Sequence, residues 1–385
     1  MNEGISVLHS YPTWLPQTQT WLHTIVSEQQ WQGFSAHVVC ERIENLEQFP
    51  VENLYSLSSA SLFLKIWNKS LRKLRIRRHL GFLVKVGRQV SANIVHSHFG
   101  NVGWANLGAV RQLGAHHIVT FYGLDVNMLP QQQVWRERYL ELFDQADLFL
   151  CEGPYMAECL KHLGCPPDKV RVQHLGIRVR EIAFQPRRWN PGEPLRILIA
   201  STFREKKGIP FALEMVGRLQ HLIPVEVTLI GGATTEPRSL REEELIRQTI
   251  ASHSLEDKIR LLGFQPHSVL WAEAYQHHVF LSPSVTAKDG DTEGGAPVTI
   301  IEMTASGMPI ISTTHCDIPE VMQPEAARFL SPERDPEALL NVVRRLISNW
   351  DSLGVPLRSL RTHIENEFDA SKQGQRLIDH YLSIL

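Results

Sequence analysis

LSPSVTAKDGDTEGGAPVTIIEMTASGMPIISTTHCDIPE, residues 281–320, is the stretch on which the fold of this chain turns. It opens at the end of a short apolar run, Val279-Phe280-Leu281, and passes into a polar, glycine-rich loop carrying Asp289, Asp291, Glu293, Gly294 and Gly295. Pro297 then falls where the first residue of a helix belongs; its missing N–H costs nothing there and its fixed φ suits the helix. Gly307 closes the helix, Pro309 follows it, and Ile310-Ile311-Ser312 reads as the next strand. Strand, glycine loop, helix and strand in that order present free backbone N–H groups at a helix N-terminus, where an anion such as a phosphate binds. Glu293 and Glu302 can accept hydrogen bonds from vicinal hydroxyls, as on ribose or a hexose. Phosphate donors beside hydroxyl acceptors are the combination a nucleotide-sugar requires.

The stretch resembles the retaining glycosyltransferases of family 4, which have the GT-B fold, above all those that build bacterial exopolysaccharides of the colanic-acid type. Their pattern reads roughly E-G-x-P-x-x-x-x-E-A-M-A-x-G-x-P-V-V-x-T-x-x-x-G-I-P-E. This chain supplies Glu293, Gly294, Pro297, Glu302, Met303, Ala305, Gly307, Pro309, Thr313, Ile318, Pro319 and Glu320. The family glutamates usually stand eight apart, whereas Glu293 and Glu302 stand nine apart, with Gly294 in the usual place of the first. An extra glycine that bulges the loop restores the geometry. On this reading Glu302, fixed in its helix, holds the ribose, while Glu293, among glycines, is the softer of the two and meets the sugar.

With 385 residues, two domains are the default, each able to bury its own core. Apolar content of 43% and charged content of 21% describe an ordinary soluble globular protein, and a net charge of −2 gives no overall pull toward nucleic acid. Cys40, Cys151, Cys159, Cys165 and Cys316 form no C-x-x-C pattern and read as thiols in a reducing cytosol. The opening MNEGISVLHSYP lacks the basic and apolar regions of a signal peptide, and no run approaches the ~18–20 apolar residues of a membrane span. A cytoplasmic protein is expected, at most peripheral on the inner face of the membrane.

Short apolar runs at 5–9, 36–39, 94–97, 118–121, 148–151 and 170–173 alternate with amphipathic stretches. A second set follows at 195–200, 225–230, 259–262, 279–281, 310–312 and 328–330. Two such sets predict an α/β protein with two doubly wound, Rossmann-like parallel sheets that bind ligands at the carboxyl ends of their strands. The proline-rich segment 184–194 reads as a linker, which places the domains at 1–184 and 185–370. The family resemblance implies GT-B architecture, with the two domains facing a central cleft. It also implies an acceptor-binding first domain, a donor-binding second domain, and a last helix, 371–385, that crosses back onto the first.

At the first strand end no G-x-G-x-x-G appears, which argues against a dinucleotide cofactor. Family members often carry P-x-x-S-E-T-F there; Gln17, Thr18 and Gln19 are the polar counterparts, suited either to acceptor contact or, for Thr18, to simple helix capping. His96-Ser97-His98-Phe99-Gly100 and Thr120-Phe121-Tyr122-Gly123-Leu124-Asp125 resemble the family's H-A-H-F-G and T-F-H-G-x-D segments. His98 and Asp125 keep the pattern, and Tyr122 stands where many members have His. A zinc site from His96 and His98 is the metal alternative, with no third ligand at suitable spacing; a packing role for one of the two is the other.

The second domain opens with Thr202-Phe203-Arg204-Glu205-Lys206-Lys207-Gly208, similar to the family's G-R-x-x-E-K-K-G loop. Lys207 and Gly208 match it; Thr202 takes the family Arg position and Arg204 lies two residues on. The resemblance implies that Lys207 and Arg204 neutralise a leaving diphosphate. Gly231 and Gly232 end the next strand and permit close backbone approach to a ligand. Residues 293–296, followed by Pro297 and Val298, would grip the donor, and His98, Tyr122 and Asp125, with Gln17 and Thr18, would face the acceptor.

Between Glu52 and Asp125 no acidic residue occurs, while Lys65, Lys69, Arg72, Lys73, Arg75, Arg77, Arg78, Lys85, Arg88 and Arg111 do. Leu64, Trp67, Leu71 and Leu74 fall at helical spacing, so residues 64–78 read as a basic amphipathic helix suited to an anionic membrane surface. A solvated helix face is the alternative, and no nucleic-acid motif accompanies the patch. The resemblance implies retaining transfer from a nucleotide-sugar to a polyprenyl-linked or other saccharide, with no metal or cofactor. An epimerase of similar fold and a catalytically silent GT-B subunit are the rival readings.

Overall fold

A computed structural model describes residues 4–16, 19, 21–30, 34–62, 65, 66, 70 and 79–385. They divide into two compact units, Met1–Ile177 with Asp369–Leu385, and Arg178–Phe368. The strands of the first are β1 (Ser6–Ser10), β2 (Thr13–Trp14), β3 (Ser35–Cys40), β4 (Arg42–Ile43), β5 (Leu54–Ser56), β6 (Ile94–His98), β7 (His116–Phe121), β8 (Leu148–Cys151) and β9 (Val170–Val172). Seven of them form an all-parallel sheet in the order β5-β3-β1-β6-β7-β8-β9, and β2 pairs separately with β4. Every residue of β1 and β6 is buried, as expected where a parallel sheet is covered on both faces.

The helix Ala370–Leu382 belongs to this first unit. Asp369 caps it by accepting from Ser371 N at 3.1 Å. Its residues Leu377 and Tyr381 pack with Val7, Ile94, Ile118, Leu148 and Leu150.

In the second unit β10 (Leu195–Ala200), β11 (Val225–Ile230), β12 (Ile259–Gly263), β13 (Val279–Ser282), β14 (Ile310–Thr313) and β15 (Leu330–Ser331) form a parallel sheet ordered β12-β11-β10-β13-β14-β15. Each sheet reverses its strand order beside its first strand, between β1 and β6 and between β10 and β13. The crevice outside the carboxyl ends at such a reversal is where doubly wound sheets bind ligands.

The structure departs from the sequence expectation in three respects. β2, β4 and β5 are only two or three residues long, too short to show alternation. The strand expected at 328–330 begins at Leu330, because Ala327–Phe329 closes a 3-10 turn. The unit boundary falls at Ile177, ahead of the proline-rich segment. That segment is strapped to the second unit instead. Arg187 Nη1 donates to the Ser306 carbonyl at 3.0 Å, and Arg361 Nη1 donates to the Ile182 and Ala305 carbonyls at 2.9 and 2.7 Å. Apart from Lys65, Ile66 and Ser70, the expected basic helix 64–78 lies outside the described residues, as do Gln17 and Thr18.

Candidate active site

The second unit brings its candidate residues together at the β10/β13 reversal. After β10 the chain makes a 3-10 turn, Glu205–Lys207, closed by Gly208 at φ 65°. A Cβ on Gly208 would stand 1.9 Å from the Pro283 carbonyl oxygen, so only glycine lets this loop lie against the loop after β13. Gly231, at φ 121°, plays the same part at the end of β11, where a Cβ would meet the Ser201 carbonyl oxygen at 1.8 Å.

That close approach sets Lys207 Nζ 2.8 Å from Glu293 Oε2. The Glu293 carboxylate also accepts from Ser284 Oγ at 2.9 Å, and its backbone N–H donates to His315 Nε2 at 3.1 Å. Its side chain is 6% exposed. Burial pushes its pKa up, but the Lys207 and Lys206 ammonium groups outweigh that and hold it at about 2. The expected softness of Glu293 is therefore corrected: a buried ion pair and a serine hydroxyl fix it, while Gly294, at φ 82°, takes up the turn of the loop.

Glu302 sits on the helix Val298–Ala305, and its Oε1 lies 3.1 Å from His267 Nε2. The hydrogen bond to Glu302 raises the His267 pKa above its usual value. Pro297 is the N-cap of this helix, with ψ 130°, rather than its first residue. The backbone N–H groups of Gly295, Ala296, Val298 and Thr299 have no hydrogen-bond partner among the described residues. They are the donors an anion at a helix N-terminus uses. Gly232 accepts from Phe203 N at 2.9 Å, tying the ends of β10 and β11 together.

Arg204, expected as a second cation for a diphosphate, is already engaged. Its Nη2 lies 3.0 Å from Asp291 Oδ2 and its Nη1 lies 3.1 Å from Glu236 Oε2. Lys206 Nζ lies 3.2 Å from Asp291 Oδ1 and donates to the Thr292 carbonyl at 2.7 Å. These contacts anchor the acidic loop rather than leave the guanidinium open.

In the first unit the candidates gather at the β1/β6 reversal. His98 Nδ1 lies 2.6 Å from the Tyr122 hydroxyl and its Nε2 lies 2.9 Å from His9 Nδ1. His96 hydrogen-bonds with Tyr381 at 2.7 Å and Thr120 at 2.6 Å. Burial, with His9 alongside, drives the His98 pKa well below its usual value, and burial raises that of Tyr122, so both are neutral near pH 7. Asp125 Oδ2 accepts from Gly100 N at 2.7 Å and Oδ1 from Tyr122 N at 2.9 Å. His98 and Asp125 were expected to face the acceptor; both are 0% exposed and hydrogen-bonded to the chain's own groups. Tyr122 is 8% exposed and lies beneath Trp21, ring centroids 4.3 Å apart.

The fold also supplies the third histidine that spacing did not reveal. His9, His96 and His98 are buried, with ring nitrogens within 4.8 Å of one another. The His96 and His98 rings stack at 4.4 Å and 23°, so their in-plane lone pairs run side by side instead of converging. All four of their nitrogens have hydrogen-bond partners. This set fits a hydrogen-bonded chain better than a tetrahedral metal centre.

Comparison with known proteins agrees with this geometry. The profile of Glycosyltransferase Family 4 matches residues 18–181, and that of Glycosyl transferases group 1 matches residues 194–349. A protein of Escherichia coli (strain K12) described as a colanic acid biosynthesis glycosyltransferase, WcaL, is 30% identical over 306 residues, covering 78% of this chain and 72% of that one. The chain is a family 4 glycosyltransferase.

A second relative of this family 4 enzyme is the amylovoran biosynthesis glycosyltransferase AmsK of Erwinia amylovora, 32% identical over 282 residues, 72% of this chain and 67% of that one. Among solved structures, Anabaena Alr3699/HepE in complex with UDP and glucose matches 99% of this chain and 100% of its own, with a TM-score of 0.76 and 15% identity. The likeness extends over both units and gives the fold as GT-B. Of the residues singled out in the sequence, Lys207 and Glu293 meet in an ion pair beside the Gly208 turn, and Glu302 stands against His267. Ser284 and His315 carried no such signal, since they meet Glu293 only once β13 and β14 lie side by side, and Asp291, named only as part of the acidic loop, proves to be the anchor of Arg204 and Lys206. A signal for Asp291 was present in the acidic run Asp289-Gly290-Asp291.

Proposed function

We propose that the Arg178–Phe368 unit binds a nucleoside-diphosphate sugar and that the Met1–Ile177 unit takes a saccharide acceptor, with the glycosyl group transferred with retention of configuration. The observation that carries the donor half is the cluster at the β10/β13 reversal: one ammonium, two carboxylates and free N–H groups at a helix N-terminus. Lys207 faces the diphosphate, with the N–H groups of residues 295–299 beside it. Glu302 accepts from the ribose diol, and Glu293 accepts from a sugar hydroxyl. Arg204 and Lys206, clamped on Asp291, hold the loop that carries Glu293. With the ammonium and the N–H groups stabilising the leaving diphosphate, no divalent cation is needed, and no cofactor takes part.

The relatives described as colanic acid and amylovoran biosynthesis glycosyltransferases support a role in surface polysaccharide assembly. A polyprenyl-linked acceptor suits such a role, and with it a peripheral position on the cytoplasmic face of the membrane; no helix among the described residues is long and apolar enough to cross one. The test is release of nucleotide from UDP-, GDP- and ADP-sugars in the presence of lipid-linked saccharides, with and without EDTA. Acceptor-dependent release that survives EDTA is expected. Isomerised sugar without release would point to an epimerase, and no turnover with any donor to a silent subunit.

A further inference from the structure

Three neighbouring strand ends of the second unit meet in one histidine. β13, β14 and β15 lie side by side in the parallel sheet, and Glu293, His315 and Glu333 stand on the segments that follow them. His315 is 1% exposed. Its Nδ1 lies 2.6 Å from Glu333 Oε1, and its Nε2 lies 3.1 Å from the Glu293 backbone nitrogen. The other Glu333 oxygen, Oε2, accepts from Thr286 N at 2.7 Å. Thr286 and Glu293 belong to the same loop after β13, so the His315–Glu333 pair grips that loop at two separate points. Thr314 N donates to the Ser331 carbonyl at 2.9 Å, which ties the segment carrying His315 to the end of β15.

These contacts leave one protonation state for the ring near pH 7. A backbone N–H only donates, so Nε2 must be bare to receive it. Burial pushes the Glu333 carboxyl up, but the Thr286 N–H and the His315 ring outweigh this and hold it below the usual carboxylate range. An ionised carboxylate only accepts, so Nδ1 must carry the proton. Cys316 agrees with this. Its Sγ lies 3.1 Å from the same Nε2, and burial pushes the thiol up, so it stands as an S–H donor toward the bare nitrogen. The other tautomer, or the imidazolium, would turn an N–H against the Glu293 N–H. Lys207 and Ser284 hold the Glu293 carboxylate, and His315 holds its peptide, just ahead of the Gly294 turn.

We propose that His315, locked by Glu333 with its proton on Nδ1, is a positioning residue for the donor sugar: it fixes the Glu293 peptide so that the carboxylate meets a sugar hydroxyl. The proposal rests on the reading of Glu293 as the residue that meets that sugar. His315 itself touches no ligand and acts through Glu293, as a hydrogen-bonded support that orients a binding group.

Two measurements on the whole protein test it. Long-range proton–nitrogen NMR correlation of histidine-labelled protein near pH 7 reads the tautomer, with the His315 signals assigned by their loss in His315→Gln. A proton on Nδ1 and none on Nε2 is expected; a proton on Nε2 would overturn the proposal. The second measurement is calorimetric titration with UDP, GDP and ADP and with their hexose conjugates, the tightest pair being carried through the variants. His315→Phe, which keeps a ring and removes both nitrogens, should weaken the nucleotide-sugar about tenfold, the scale of one lost hydrogen bond, and leave the nucleoside diphosphate within about twofold of wild type. His315→Gln, whose amide oxygen can still take the Glu293 N–H, should recover most of the loss, and Glu333→Gln, which frees the tautomer, should fall between. Equal weakening of both ligands, or no recovery in His315→Gln, would reduce His315 to a packing residue and overturn the proposal. Glu293→Gln separates the two readings. If it weakens the nucleotide-sugar while His315→Phe does not, the positioning role alone falls. If it binds the nucleotide-sugar as wild type does, the sugar assignment of Glu293 falls and the positioning role with it.

Discussion

Replacing Lys207 with methionine keeps the length of the side chain and removes its charge, leaving the Glu293 carboxylate buried beside Ser284. The Glu293 carboxyl stands at about 2 instead of 4.5. That net depression, at ~1.36 kcal/mol for each tenfold change in acidity, is worth on the order of 3 kcal/mol to the ionised folded state and is what Lys207, Lys206 and His315 together leave after the cost of burial. Because the folded-state pKa lies below the unfolded one, this stabilisation is fully present above about pH 4.5 and is lost as the pH falls through about 2. Lys207 is the foremost of those groups, so at pH 7 Lys207→Met should destabilise the protein, by the ~3–5 kcal/mol usual when one partner of a buried ion pair is removed. Adding Glu293→Gln should recover much of that loss, since no unpaired charge then remains. Urea unfolding followed by circular dichroism measures all three proteins. A single variant as stable as wild type, or a double variant no more stable than the single, would refute the reasoning.

Two further outcomes follow from the same site. His267 is raised by its hydrogen bond to Glu302, so its ring proton should titrate above the ordinary 6.5 by NMR and drop back in Glu302→Gln; an unchanged titration would show that the pair does not form in solution. Gly208→Ala places a methyl 1.9 Å from the Pro283 carbonyl oxygen at φ 65°, so unfolding free energy should fall by more than ~1 kcal/mol and nucleotide affinity should fall with it; a variant with wild-type melting and binding would mean the two loops do not touch.

The architecture was legible because parallel strands buried on both faces leave continuous apolar runs, and β10, β11 and β13 stand close to where residues 195–200, 225–230 and 279–281 placed them. What escaped had a physical cause in each case. β5 is three residues long and carries no period. Glu293 reads in the sequence as a loop residue between Thr292 and two glycines, and nothing local shows that Lys207, far back in the chain, will bury it. His98 and Asp125 matched a motif, which marks a place in the fold but not which way a side chain is spent; only the neighbouring strands show that His9 and the Gly100 N–H use them.

The central claim is that the second unit holds a nucleotide through Glu302 and its sugar through Glu293. Calorimetric titration of wild type, Glu302→Gln and Glu293→Gln with a nucleoside diphosphate, and then with the corresponding nucleotide-sugar, tests it most directly. Glu302→Gln should weaken both ligands by about 1–3 kcal/mol, the cost of a lost charge-assisted hydrogen bond. Glu293→Gln should leave the nucleoside diphosphate at wild-type affinity and weaken only the nucleotide-sugar. Wild-type binding of the nucleoside diphosphate by Glu302→Gln would contradict the claim and move the donor site elsewhere.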